Sequence, residues 1–284
     1  MAVCTEAPLV FSDHALACRL EAAEACSNAD FVETRARLFP DSGACWIQVA
    51  GAFVLFDGPA SPCTQTFGLG LHQKVTTADL DGIERFFQER GAPVFHETSP
   101  LADLELFSLL HSRGYQPFEF TSVLFRPICP GVQLASPANP KIRVRPIGPD
   151  GRERWAETSA RGWSENRELA DQLSGLMRVG AARPGMTAFL AELDGQAIAA
   201  GGLSIHDGVA FLCGASTIPE ARQQGAQLAL LEGRLRAGAE AGCDLALMGA
   251  LPGSASQRNA ERHGFRIAYT RIKWRLEKRN TNLR

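Results

Sequence analysis

Between residues 211 and 242 an apolar run, a glycine-bearing loop and a long helical stretch follow one another directly. Phe211-Leu212-Cys213-Gly214-Ala215-Ser216-Thr217-Ile218 has the composition of a buried strand. Pro219-Glu220 interrupts it before Arg222-Gln223-Gln224-Gly225-Ala226-Gln227, which opens a helix running to Gly242. The first turn of a helix carries main-chain N–H groups with no acceptor inside the helix, at the positive end of its dipole. A glycine there lets a ligand come close to the backbone. The chemistry that suits such a place is anion binding, a pyrophosphate for example. The same residues also serve as an ordinary strand-to-helix connection, and short glycine patterns recur by chance. The surrounding elements decide between the two.

Other chemistries find less support. The eight cysteines contain no Cys-x-x-Cys pair and the six histidines no His-x-x-x-His spacing, so no metal site is expected and the thiols read as free and buried. Ser42-Gly43-Ala44-Cys45-Trp46 resembles the signature around a papain-type nucleophile. That nucleophile needs a helix N-terminus to lower its pKa, whereas Cys45-Trp46-Ile47-Gln48-Val49 runs on into an apolar, strand-like segment ending at Phe56. A net charge of −2 with no long Lys/Arg run gives no footprint for nucleic acid. No apolar run has membrane-spanning length and no charged leader precedes an apolar core, so a cytoplasmic location without membrane partners is expected.

With 284 residues, 45% of them apolar, the chain is large enough for two domains with real cores. Helical spacing covers residues 11–39, followed by strands at 45–56 and 63–72, with a turn at Asp57-Gly58-Pro59. A helix at 77–90, a strand at 93–97, a helix at 101–112 and strands through 118–126 complete the first half. Four prolines between Pro127 and Pro140 then mark a semi-rigid linker. The second half reads as a strand at 142–147, helices at 152–164 and 168–181, and strands at 187–193 and 197–205 joined at Asp194-Gly195. The glycine loop and its helix come next, then a strand at 245–251, a helix at 255–263, Gly264-Phe265 and a closing strand at 266–276. Gly91 to Gly114-Tyr115 in the first half and Gly242 to Gly264-Phe265 in the second are separated by 23 and 22 residues, with strand and helix in the same order between them. An internal duplication is the simplest account.

The stretch Arg222-x-x-Gly225, its preceding Pro219-Glu220 and the downstream Gly264-Phe265 resemble the acyl-coenzyme A loop and closing elements of the GNAT-type N-acetyltransferases. That loop has the form Arg/Gln-x-x-Gly-x-Gly/Ala, and this chain departs from it at the last position, Gln227. The order of elements in the second half is also that of the GNAT fold, an analogy of order alone. The resemblance implies an α/β fold with mixed sheets, as two tandem GNAT-like domains: residues 1–128 without a coenzyme loop, a linker at 129–140, and an acetyltransferase domain at 141–284. It implies acetyl-CoA as co-substrate, with no metal, and an amine acceptor that is attacked into the thioester directly. By the same resemblance Ala215, Ser216, Thr217 and Ile218 hold the pantetheine arm. Arg222, Gln223, Gln224, Gly225, Ala226 and Gln227 hold the pyrophosphate, and amides near Cys213 to Ala215 polarise the thioester carbonyl.

Two acid–base positions common in the family are empty. The Tyr expected four residues before Gly264 is Ala260, and the Glu of the histone-acetylating branch falls on Phe211. No general acid or base is therefore assigned. Replacement candidates are Asn259 and Ser256, three apart on one helix and within reach of the pantetheine, and Tyr269, which is equally an aromatic of an apolar strand. Glu192 and His206 are further possible bases, and Cys213 a thiol that direct transfer does not need. The acceptor pocket implied by the family draws on Trp155, Trp163, Ser164 and Glu165, with Trp163 and Glu165 the better candidates because they lie at a helix break. A small-molecule primary amine is the expected acceptor. An acyl-CoA-binding sensor with little transferase activity is the alternative.

Overall fold

In the computed structural model the described residues are 10–132, 139–164 and 167–277. The fold is mixed α/β, and the chain divides into two compact units. One holds Phe11–Val123 and Ala250–Gln257 together with the last strand; the other holds Leu124–Gly249 and Arg258–Arg266.

The first unit opens with α1 (His14–Leu38), started by Asp13, whose carboxylate accepts from the Leu16 amide, and ended by Arg35 and Arg37 in its last turn. Strands β1 (Cys45–Val49), β2 (Ala52–Phe56) and β3 (Gln65–Phe67) follow, then α2 (Thr77–Gln88), β4 (Phe95–Thr98), α3 (Leu104–Ser112) and β5 (Tyr115–Pro127). Residues 45–56, expected as one strand, are a hairpin. Ala50 and Gly51 both have positive φ, 49° and 78°, and Cys45 pairs with Phe56. A two-residue hairpin turn of this hand needs left-handed backbone at both central positions, and alanine at the first gives little signal for it. The strand expected over 63–72 is only three residues long, because Gly68 and Gly70 take φ of 75° and 76° and turn the chain away. The core of this unit gathers Val54, Leu80, Ile83, Phe87, Leu110 and Trp274.

The second unit carries β6 (Ile142–Pro146), α4 (Arg152–Trp163), α5 (Arg167–Ala182), β7 (Met186–Leu193), β8 (Gln196–His206), β9 (Val209–Thr217), α6 (Ala226–Glu240) and β10 (Leu245–Ala250). α7 (Ala255–Arg262) and β11 (Arg266–Leu276) follow. The Asp194-Gly195 turn joins β7 to β8 with φ of 50° and 78°. The strand order here is β10-β9-β8-β7-β6, with β9 and β10 parallel and the rest antiparallel. In the first unit it is β1-β2-β3-β4-β11-β5, with β3 and β4 parallel.

The same plan is thus present twice. A parallel strand pair is bridged by a helix (α2 or α6), and a second helix ends on a glycine before an aromatic and the next strand. Gly114 and Gly264 both have left-handed φ, 90° and 83°, and their amides donate three residues back, to His111 and Glu261. The last strand sits in a place that sequence order does not suggest. β11 pairs antiparallel with β4, Ile272 opposite Thr98 and Trp274 opposite His96, so it lies in the unit built from residues 11–123.

Candidate functional site

The glycine loop and its neighbours enclose a cleft of about 540 Å³ lined by Gly162, Trp163, Ala215–Thr217, Ala221–Gln223, Gly225–Leu228 and Asn259. This is within the usual size range of small-molecule sites. The helix starts later than the sequence suggests. A single turn at Pro219–Ala221 precedes an extended Arg222, and α6 begins at Ala226 behind Gly225, whose φ is 92°. Gln223 is also left-handed, at φ 63°, a conformation a non-glycine residue takes only at a cost on the order of 1 kcal/mol. Gly225 is confined as well as bent, since a Cβ there would stand 3.3 Å from Cβ of Asn139.

No side chain caps α6. Its first-turn amides therefore keep their donors for something outside the helix. The corresponding helix of the first unit is closed. Thr76 accepts from the Asp79 amide, and the Asp79 carboxylate accepts from the Thr76 amide at 2.8 Å, so donors are consumed and a negative charge stands at that N-terminus. The Thr76 hydroxyl, which also donates to this carboxylate at 2.7 Å, and the Thr76 amide hold the Asp79 carboxyl below its ordinary range. The unit lacking the glycine loop thus also lacks the open helix end.

The wall opposite the loop is the end of β9. β9 and β10 pair only from Val209–Leu245 to Phe211–Leu247, and the residues that follow on β9 are not paired to β10. Ser216 donates its hydroxyl to Ser159 of α4 at 3.0 Å, and Ile218 donates its amide to Ile198 at 3.0 Å. Ile218 is buried and fixes the strand end without lining the cleft. Gln227, the departure from the loop pattern, donates from Nε2 to Thr217 Oγ1 at 2.8 Å and so ties the helix start to the strand end. Arg222 reaches toward the Gly162 carbonyl at 3.5 Å, and the Gln224 carbonyl accepts from the Asn139 side chain at 3.0 Å.

Asn259 lines the cleft, whereas Ser256 is exposed and is not among the lining residues. Tyr269 lies elsewhere. It is buried and donates to Glu21 at 2.8 Å, beside Arg271, which also pairs with Glu21, Glu24 and Glu97; burial and the Glu21 charge push its phenol up. Glu192 is held by Arg145 and Arg154, and the Arg145 hydrogen bonds keep it below the usual carboxylate range, so it stays ionised but engaged. Trp155 is core, its indole donating to the Gly201 carbonyl at 3.1 Å, and Ser164 is buried against Arg161. Trp163 ends α4 and is 53% exposed at the cleft wall. Glu165 lies outside the described residues. Cys45 sits on β1, as its apolar context suggests, and receives a contact from Arg90 at 3.3 Å.

Two contributors escape a reading by motif. Gly162 brings α4 against β9 so closely that a Cβ would meet Ser216 Oγ at 2.4 Å and the Thr217 amide nitrogen at 2.9 Å. Asn139, at the end of the linker, props the loop from behind. Both act across long sequence distances, and only the first carried a signal, a glycine near a helix end.

No helix among the described residues is long and apolar enough to cross a membrane, and those residues form no cluster of metal ligands. No curated protein sequence matches the chain. Residues 152–265 match the family model described as acetyltransferase (GNAT) family. Among solved structures, a GCN5-related N-acetyltransferase from Kribbella flavida is 17% identical with a TM-score of 0.66, covering 95% of this chain and 99% of its own. A tandem GNAT protein from the clavulanic acid biosynthesis pathway, solved without AcCoA, is 12% identical with a TM-score of 0.55 over 95% of this chain and 98% of its own. A GCN5-related N-acetyltransferase from Sphaerobacter thermophilus is 15% identical with a TM-score of 0.51, covering 95% and 93%. At these identities the likeness establishes the fold. The cleft-bearing region, residues 152–265, is a domain of the GNAT acetyltransferase family, set in a chain whose fold is that of tandem GNAT proteins.

Proposed function

We propose that this chain is a cytoplasmic N-acetyltransferase that moves an acetyl group from acetyl-CoA to the primary amine of a small molecule. The observation that carries the proposal is the uncapped N-terminus of α6 opening into the cleft beside the end of β9 that does not pair with β10. A pyrophosphate fits the first, where donors and dipole favour negative charge. An extended pantetheine arm fits the second, as a strand laid along an open edge. In this reading the loop from Arg222 to Gln227 binds the diphosphate, Ala215 to Thr217 run alongside the arm, and Asn259 closes over it from α7. Bound acetyl-CoA supplies the thioester. The acceptor nitrogen bonds to the acetyl carbon as the C–S bond breaks, the amine proton leaves to water, and coenzyme A departs as a thiolate that takes a proton from water, since Phe211 and Ala260 offer no acid or base.

The sequence halves 1–128 and 141–284 are proposed as the products of one duplication, with the first half having lost its coenzyme loop and the second having kept it. Trp163 and Glu165 are proposed to flank the acceptor.

Calorimetry with acetyl-CoA, followed by thiol release with a panel of amines, tests the proposal. Binding with release marks a transferase. Binding without release for any amine marks the sensor reading, which the empty acid–base positions favour. No binding removes the assignment of the cleft.

A further inference from the structure

Arg234 lies on α6 and is 3% exposed. Its cation is solvated by main chain. Nε donates to the Leu230 carbonyl at 3.1 Å, and Nη1 donates to the carbonyls of Gly202 at 3.3 Å and Cys213 at 3.4 Å. Among the described residues no carboxylate pairs with it. A guanidinium buried without a counter-ion is costly, and burial draws its pKa down to about 10, which still leaves it charged at neutral pH. For packing alone, a leucine or methionine would serve on this face of α6.

The two carbonyls it reaches across the sheet are special. Gly202 and Cys213 face one another where the β8–β9 register shifts. From there to the pair Ala200–Ser216, Gly201 alone on β8 stands opposite both Gly214 and Ala215 on β9. This is a β-bulge. Gly201 leaves the room that the guanidinium occupies, since a Cβ there would come within 3.3 Å of Arg234 Cζ and Nη1. The peptide between Cys213 and Gly214 is trans, so its N–H points away from its carbonyl and hence away from Arg234. Gly214 is exposed, beyond the last β9–β10 pair at Phe211–Leu247 and immediately before the cleft-lining Ala215.

We propose that Arg234 is a positioning residue for acyl transfer: by holding the Cys213 carbonyl from beneath the bulge it aims and strengthens the Gly214 N–H as donor to the thioester carbonyl. The inference rests on the acyl-transfer reading above. Two effects act together. The hydrogen bonds to Gly202 and Cys213 keep the bulge from relaxing into regular pairing. A cationic donor on the carbonyl also polarises the peptide, so the N–H on its other side becomes a better donor where negative charge develops.

The test uses the full chain as wild type, Arg234→Met and Arg234→Lys. Three readouts are taken: calorimetric Kd for acetyl-CoA; kcat and KM for transfer and for acceptor-independent thioester hydrolysis; and the Gly214 amide proton shift. In Arg234→Met the Kd is expected to stay within about threefold, while kcat falls about 10- to 100-fold, below the full loss of an oxyanion donor. The Gly214 amide moves upfield, as a weakened donor should. Arg234→Lys keeps the charge and is expected to recover part of kcat. Wild-type kcat in Arg234→Met, or an unmoved Gly214 amide, overturns the inference. So does a rise in Kd together with a fall in kcat and melting temperature, which is what lost packing alone would produce. Should Arg234→Met not fold, Arg234→Gln, of similar reach without the charge, decides, and an unchanged kcat and Gly214 shift refute the role. Should the wild type neither bind nor hydrolyse acetyl-CoA, the transferase reading fails by itself, and the Gly214 shift still judges whether Arg234 sets that amide.

Discussion

Acid sensitivity centred on His96 is a prediction the structure makes quantitative. His96 is fully buried on β4, opposite Thr66 of β3 and Trp274 of β11, with its ring 4.9 Å from that of Tyr115. Neither ring nitrogen has a hydrogen-bond partner among the described residues. Burial alone pulls its pKa from 6.5 down to about 3. Because the folded-state pKa is depressed, the neutral ring's contribution is fully present above pH 6.5 and is lost as pH falls toward 3: the unfolded chain takes up a proton that the folded chain refuses. Over that window stability should fall by ~1.4 kcal/mol per pH unit, or ~2 kcal/mol between pH 8 and pH 5. Carboxylates titrate in the same range, so the comparison is with His96→Leu, which keeps the volume and removes the proton site. Urea unfolding at pH 8, 6.5 and 5, with hydrogen exchange at the β4 amides to localise the effect, should show the wild type losing ~2 kcal/mol more than the variant. Parallel pH profiles for the two proteins would refute the reasoning. So would a His96 ring resonance that titrates above pH 5.

Gly225→Glu should abolish acetyl-CoA binding by calorimetry while circular dichroism stays native, because the added carboxylate meets the uncapped α6 amides where the pyrophosphate is proposed to bind; retained affinity removes the coenzyme assignment. Gly162→Ala should weaken acetyl-CoA binding and cost about 1–3 kcal/mol, since its Cβ would press on Ser216 and the Thr217 amide; a fully stable variant with native affinity would show that α4 can move off β9 freely. A fragment of residues 139–284 should fail to melt cooperatively, although the proline-rich stretch looks like a domain boundary. It carries β11 without β4 and leaves buried Arg271 without Glu21, Glu24 and Glu97, a loss on the order of 3–5 kcal/mol for a stranded buried charge. A sharp thermal transition for that fragment contradicts this.

Much of the fold was legible because its signals are local. The apolar spacing of residues 14–38, the Asp194-Gly195 hairpin, the run from Arg266 to Leu276 and the glycine loop before α6 each depend on residues a few positions apart, and each lies where such spacing puts it. The helix-end glycines that mark the repeated plan are local too, since Gly114 and Gly264 need left-handed backbone whatever surrounds them. The hairpin at Ala50-Gly51 was hidden because alanine rarely takes φ near 49°, and only the pairing of Cys45 with Phe56 holds it there.

The assignment of partners was decided in three dimensions. β11 has the same apolar pattern whichever strand it joins; the choice of β4 rests on Arg271 and Tyr269 finding Glu21 some 250 residues earlier, as well as Glu97. That choice takes Tyr269 out of contention as an acid. Asn139 and Arg234 are likewise silent in sequence, a polar residue after prolines and an arginine on a helix, and Gly162 shows there only as a glycine near a helix end. A glycine's worth as a close approach depends on what stands opposite, and a buried cation's on which carbonyls face it. Spacing along the chain carries the first-order plan of strands, helices and the glycine loop, whereas contacts between distant residues, which no local period encodes, determine which groups share the cleft.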